Sequence, residues 1–353
     1  MLSADNAGTG HVHKDLLPIL DLLLPTHISV VALPERPMPH PKASFDTMDN
    51  DWGVPHKYAM RLATFTDQLE HDPSLATVVD SINVDTLRRN VRWLTGEAPS
   101  GIESRHSFTK GALQAAHWIK KQVQEAGASC ELMHYMEGFA PNVICEFPNN
   151  SSEHVVLSAH YDSRGSFGMT RAPGADDDAS GSGHLLGVVD AIKRYKIKFD
   201  KKVIVAFFSG EEQGLFGSRA YAGHLKDTNR EVLLHIQADM LGYHVPGEPM
   251  QLALPATIHL PEASYFVGNV SKLYSPELVV GSTQACCSDH QSFLSLGFPA
   301  TQVFERNGPI ADPMYHNSGD LSFREGYDFD QIVAIAKVTM ASIMIVAGWS
   351  QGQ

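Results

Sequence analysis

The run Lys202-Val203-Ile204-Val205-Ala206-Phe207-Phe208 is apolar at every position after its first, and it stops abruptly at Ser209-Gly210-Glu211-Glu212. A run with no polar alternation suits a strand covered on both faces, as in the middle of a parallel sheet. Two adjacent carboxylates at the end of such a strand repel each other and lose hydration, a cost that needs a reason. The pattern recurs. Val155-Val156-Leu157 leads into His160-Tyr161-Asp162, and Val232-Leu233-Leu234-His235-Ile236 leads to Asp239. In open α/β sheets the ligand crevice lies beyond the carboxyl ends of the strands, so these polar groups are expected to share one crevice.

The segments between these strands have helical spacing. Ala112, Ala116, Ile119 and Val123 recur on one face, with Gly127 as a stop. A helix is expected over about 180–195, burying Leu185, Val189 and Ile192, with others near 262–273 and from about Asp328 to the C-terminus. Cys130–Tyr135 and Asn142–Phe147, joined through Gly138 and Pro141, predict a hairpin, and a strand is expected around Pro299 to Phe304. Alternating strands and helices imply an α/β fold: a mixed, mainly parallel central sheet sandwiched by helices in three layers, the hairpin adding antiparallel edge strands.

Residues 1–80 have a different texture, with prolines dense between Pro25 and Pro55. They are expected to form an N-terminal extension, either loosely ordered or a pro-segment covering the site, with Leu16 to Leu24 as a short helix docking on the body. Residues 81–353 would form the main domain. A formal net charge of -13 argues against a nucleic-acid partner, whose phosphates need a basic surface. The apolar stretch Ile332 to Trp349 contains Lys337 and several alanines and suits a buried helix, so no membrane partner is expected. The first residues lack a basic and apolar leader, so a signal peptide is expected to be absent or already removed. Asn149, Asn150 and Asn269 stand in glycosylation tripeptides, which fit a secreted protein. Of the four cysteines, Cys130 and Cys145 could pair across the hairpin, whereas Cys286 and Cys287 are adjacent and are expected to remain free thiols.

Taken singly, each polar group has a plain role. His160-x-Asp162 and His316 could be loop residues, Asp239 a strand-end cap, and Asp176-Asp177-Asp178 a helix cap. Together they supply two imidazoles and several carboxylates, the donors that a pair of borderline-hard divalent ions requires. Three consecutive acids exceed what a cap needs, leaving one to bridge two cations. Of the two glutamates, one could serve as a ligand and its neighbour as a base. This is the chemistry of metal-assisted hydrolysis.

The chain resembles the co-catalytic zinc aminopeptidases of peptidase family M28. The resemblance rests on Ser158-Ala159-His160-Tyr161-Asp162-Ser163, on Pro173 to Gly181 around Asp176-Asp177-Asp178, and on Phe208-Ser209-Gly210-Glu211-Glu212-Gln213-Gly214. Gln237-Ala238-Asp239-Met240, Ser288-Asp289-His290 and Tyr315-His316 complete it in order, covering the chain from about Ser81. It implies the zinc-exopeptidase form of the three-layer fold and two zinc ions, with cobalt or manganese as possible substitutes. Asp177 would bridge them, one ion adding His160 and Asp239 and the other Glu212 and His316. Asp162 would orient His160, and Glu211 would take a proton from a water shared by the ions. The implied substrates are peptides with a free N-terminus, cut after a hydrophobic first residue by a monomeric enzyme.

The sequence departs from the pattern in one loop. Secreted members often carry two cysteines four residues apart before the Ser-Asp-His; Cys287 fills the second position but Thr283 stands at the first, and Ala285 replaces a tyrosine. Three other functions share the scaffold: a carboxypeptidase or dipeptidase of the same family, a glutaminyl cyclase using a single zinc, and a non-catalytic binding module. Retention of every ligand and of the base argues against the last. The segments Gly174 to Gly181 and Gly210 to Gly217 resemble the peptidases rather than the cyclases.

Overall fold

A computed structural model describes residues 13–25, 52–166 and 170–352. Most of the proline-dense stretch lies outside them. Near the N-terminus a 3₁₀ turn (Lys14–Ile19) runs into the short helix α1 (Leu20–Leu23). The Asp21 carboxylate of α1 accepts bonds from the backbone N–H and the hydroxyl of Ser318, so this segment does dock on the body.

The body reaches further toward the N-terminus than Ser81. Helices α2 (His56–Asp67) and α3 (Pro73–Val79) bury Tyr58, Leu62, Leu75, Val78 and Val79 in the main core. Their apolar positions lie close behind the proline-dense stretch, where the composition masks them. Helices α4 (Val84–Thr95) and α5 (Lys110–Gln124) follow, each started by a side chain that accepts otherwise orphaned N–H groups: Asn83 from Asp85 and Thr86, and Thr109 from Ala112.

Strands β1 (Ser129–Met133) and β2 (Asn142–Glu146) form the expected hairpin, followed by β3 (Glu153–His160) and α6 (Ala179–Tyr195). After the short β4 (Ile197–Phe199) come β5 (Lys202–Phe208), α7 (Phe216–Asp227) and β6 (Glu231–Ala238). Then come β7 (Gln251–Pro255), α8 (Pro261–Tyr274), β8 (Val279–Thr283), α9 (His290–Leu294), β9 (Ala300–Val303), α10 (Phe329–Ala347) and β10 (Trp349–Gln351).

The main sheet has the order β1-β2-β5-β3-β6-β9, parallel from β5 to β9 and antiparallel in the hairpin. The all-apolar β5 sits inside it and splits its side chains by the strand period of two. Val203, Val205 and Phe207 enter the larger core with α4, α5, α6 and α10, while Ile204, Ala206 and Phe208 enter the smaller one with Tyr221, Leu225 and Phe293 of α7 and α9. Truncating Phe207 to Ala would cost about 3–5 kcal/mol. Two small sheets, β7–β8 and β4–β10, were not anticipated; β4 and β10 have three residues each, too few for a clear period.

Among the described residues α10 is the helix long and apolar enough to cross a membrane, and 78% of that window is buried in the protein. Lys337 escapes burial by reaching Asp80 at 3.0 Å. Cys130 and Cys145 face each other across the hairpin and are bonded. The expectation of free thiols at Cys286 and Cys287 is corrected, because these neighbours form a disulfide as well. The turn between β8 and α9 puts Cys287 at φ 81°, in the left-handed region.

Candidate metal centre

The ends of β3, β5 and β6 and two loops converge on one acidic pocket. His160 closes β3, and its Nε2 lies 3.1 Å from Oδ1 of Asp177 and 3.6 Å from Oδ1 of Asp239. Oδ2 of Asp177 lies 3.1 Å from Nε2 of His316, which is also 3.1 Å from Oε2 of Glu212. Each triad, His160–Asp177–Asp239 and Asp177–Glu212–His316, offers donor atoms that all lie within 4.8 Å of one another. Asp177 belongs to both.

The neighbouring aspartates do other work. Asp178 caps α6 through Gly181 N–H at 2.8 Å and also accepts from the N–H groups of Met240 and His160, both at 3.2 Å. One carboxylate thereby ties together the start of α6, the end of β3 and the residue after Asp239. Asp176 accepts from Gly242 N–H at 2.8 Å. Gly174, at φ 52°, makes the turn into the acidic run; a Cβ there would lie 2.3 Å from the Asp177 carbonyl oxygen, so only glycine fits.

Burial and charge compete at this site. Burial opposes a charge on His160, but Glu211 and the carboxylates of Asp162, Asp177 and Asp239 override it and raise its pKa well above 6.5. Burial opposes charge on His316 too, and Glu212 and Asp177 push it up to about 10. For Asp177 burial acts upward, yet the two imidazoles hold it below the usual carboxylate range. Glu211 is raised well above its ordinary value, chiefly by burial and then by Glu212, Asp289 and Asp239 against the pull of His160. Oε1 of Glu212 is buried without a hydrogen-bond partner. So many buried acids around two imidazoles call for further positive charge, and the mixed N/O donors are those of a zinc site.

Asp162 lies behind His160, with Oδ1 3.6 Å from Nδ1, while Nδ1 is 3.2 Å from the Asp162 carbonyl oxygen. Tyr315 stacks on His316 with ring centroids 3.7 Å apart. His316 and Met240 both take positive φ, 54° and 51°, which side chains other than glycine seldom adopt. The surrounding hydrogen bonds hold these residues in place at the site.

Two supports were missed in the sequence. Arg105 is fully buried and donates to the carbonyls of Tyr161, Leu94, Pro173 and Gly174, clamping the loop after His160 to the one before Asp177. Burial lowers its pKa to about 10. Asp320 accepts the N–H groups of Asp176 and Asp177 at 3.0 Å and is held by Arg324, joining the acidic run to the loop that carries His316. Arg105 carries no local signal, because its partners are carbonyls distant in sequence. Asp320 follows Ser318-Gly319, a turn signal without a stated role.

The profile of peptidase family M28 matches residues 142–341, more than half of the chain. The chain belongs to peptidase family M28. "Leucine aminopeptidase 1" of Sclerotinia sclerotiorum is 27% identical over 293 residues, covering 77% of this chain and 74% of that protein. The Legionella pneumophila LapA aminopeptidase has a similar fold, with a TM-score of 0.71 at 20% identity over 79% of this chain and 76% of the other. The Bacteroides thetaiotaomicron glutaminyl cyclase also shares the fold, at TM-score 0.60 and 17% identity, covering 74% of this chain and 97% of that chain. The scaffold alone therefore does not separate the two chemistries.

Proposed function

We propose that this chain is a secreted zinc aminopeptidase that hydrolyses the first peptide bond of substrates with a free N-terminus. The observation that carries the reading is Asp177, whose two oxygens each face a different imidazole-carboxylate pair. His160, Asp177 and Asp239 would hold one zinc, and Asp177, Glu212 and His316 the second. A glutaminyl cyclase working with one zinc has no need of the second triad. Bound zinc supplies Lewis acidity at the scissile carbonyl and lowers the pKa of water from 15.7 toward ~7.

The chain's own groups do the rest. Glu211 lies beside the triads without being part of either, so its carboxyl is free to take a proton from water and return it to the leaving amine. Such acid-base help is worth about 10²–10⁴-fold in rate. Asp162 orients the His160 ring, so that Nε2 faces the site. Similarity to a leucine aminopeptidase supports a free amino terminus, rather than a carboxylate, as the end that is read. Next to Asp239, Met240 is buried with Ala253 and Phe304, and the partly buried Ala285 and Ile310 pack over that cluster as apolar groups that suit contact with a hydrophobic first residue.

Two disulfides fit an oxidising, secretory route, and Asn150 is exposed on its loop for glycosylation. The docking of Asp21 on Ser318, two residues from His316, supports a pro-segment role for the N-terminal extension. Removing residues 1–51 should then raise kcat/KM, and unchanged kinetics would reject that role.

The test of function is a paired substrate set: amino-acid amides and peptides with free or acetylated N-termini, and peptides with free or amidated C-termini. Free-amine substrates beginning with leucine should be cleaved, and acetylation should abolish cleavage while C-terminal amidation does not. Dependence on a free C-terminus would make the enzyme a carboxypeptidase. Pyroglutamate formation from an N-terminal glutamine would make it a cyclase.

A further inference from the structure

Ser107 lies just before α5, far in sequence from the five metal-binding residues, Glu211 and Asp162. It is 1% exposed, and its carbonyl accepts the N–H of Ala140 at 2.7 Å, which fixes its backbone beside the start of β2. Its hydroxyl donates to Oδ2 of Asp162 at 2.9 Å and accepts the N–H of Gly210 at 2.8 Å. The other oxygen of Asp162, Oδ1, faces Nδ1 of His160 at 3.6 Å and receives the N–H of Glu211 at 3.4 Å. A chain of donors and acceptors therefore runs from the end of β5, through Ser107, to the carboxylate behind the end of β3.

We propose that Ser107 is a positioning residue for the reaction: its hydroxyl locks the Asp162 carboxylate to the Gly210-Glu211 turn and fixes the His160 imidazole relative to the Glu211 carboxyl. This rests on the aminopeptidase reading, because it takes His160 as a zinc ligand and Glu211 as the base. The two strand ends pair only through parallel β3–β5 ladder bonds up to His160 and Phe208. Beyond that register, Ser107 and Asp162 satisfy the backbone N–H groups of Gly210 and Glu211, where neighbouring strands no longer can. The carboxylate takes one bond from a hydroxyl and one from a backbone N–H, so it cannot swing away from the ring without leaving both donors unpartnered. A serine that only filled a buried position would leave catalysis and zinc retention untouched once the protein had folded.

The experiment compares wild type, Ser107→Ala and Ser107→Thr as full zinc-loaded chains. It measures kcat and KM on leucine amide and the rate of zinc loss to a chelator. In Ser107→Ala, kcat should fall about 10–100-fold and one of the two zinc ions should leave correspondingly faster. KM should stay within about twofold, because no substrate contact is removed. Ser107→Thr keeps the hydroxyl and should recover most of kcat. A Ser107→Ala enzyme with wild-type kcat and zinc retention would overturn the proposal, as would a folded threonine variant no better than alanine. If alanine prevents folding, Ser107→Cys, similar in size and a weak donor, should fall between the two; wild-type values from it would equally overturn the proposal. Wild type that holds zinc but cleaves no free-amine substrate would instead overturn the aminopeptidase reading, and zinc loss from the Ser107 variants would still be read without substrate.

Discussion

Two sets of buried histidines show opposite electrostatics in one small protein. His160 and His316 sit at the strand ends among carboxylates, whereas His184, His235 and His290 sit in the packed interior. Burial disfavours a charge on all five. At the site, acids reverse that effect and raise His160 well above 6.5 and His316 to about 10. In the interior nothing reverses it, and burial drives His184 and His290 down to about 3 and His235 well below its ordinary value. Two of the interior rings meet neutral partners instead: His184 bonds the Thr339 hydroxyl at 2.6 Å, and His235 bonds the Ser158 hydroxyl at 2.6 Å. Imidazole burial alone thus makes a neutral core group, and surrounding carboxylates make a site that wants a cation.

The strongest way to break the contrast is to remove the carboxylate shared by both triads. Asp177→Asn should lose both zinc ions and at least about 10³-fold in turnover, since bridge and electrostatic balance go together. Elemental analysis after dialysis checks the metal, and two retained ions would contradict the bridging role.

A second test removes one histidine from each region. His160→Ala should cost about 10²-fold or more in kcat/KM through lost metal, whereas His184→Leu should stay within about threefold of wild type. Equal losses in the two would erase the distinction. Thermal unfolding of His184→Leu shows whether a missing hydrogen bond to Thr339 has destabilised the fold.

The smallest effect is a slope. The interior histidines have folded pKa values below the unfolded value of about 6.5, so as pH falls below that point the unfolded chain takes up protons that the folded chain refuses. Stability is therefore unaffected by these groups above pH ~6.5 and declines from there toward pH ~3, at about 1.4 kcal/mol per pH unit for each group. Denaturant midpoints of zinc-free protein between pH 6.5 and 4.5 should fall less steeply in His184→Leu, by about one proton's worth. An unchanged slope would mean that His184 is protonated in the fold.

Much of this was legible in the sequence because polar groups interrupt apolar strands at the same end. The unbroken apolar β5 placed Glu211 and Glu212 at a buried edge, and the runs before His160 and Asp239 did the same for β3 and β6. The division of labour within Asp176-Asp177-Asp178 was not legible from spacing, because three neighbouring carboxylates look alike until the partners of each are known. Arg105, Ser107 and Asp320 escaped for the same reason: their partners, backbone groups and for Ser107 also the Asp162 carboxylate, are distant in sequence. Helices α2 and α3 were hidden by the proline-dense stretch before them, and the Cys286–Cys287 bond depends on a turn that composition does not reveal.

The most direct test of the central claim is Glu211→Gln, assayed for zinc content and for kcat on leucine amide in the same preparation. The change is nearly isosteric, removes the base and leaves both triads whole. The proposed roles predict two zinc ions per chain with kcat lower by about 10²–10⁴-fold. Wild-type turnover with both ions in place would contradict the assignment of Glu211 as the base. Loss of zinc along with turnover would show that Glu211 holds metal rather than moving a proton.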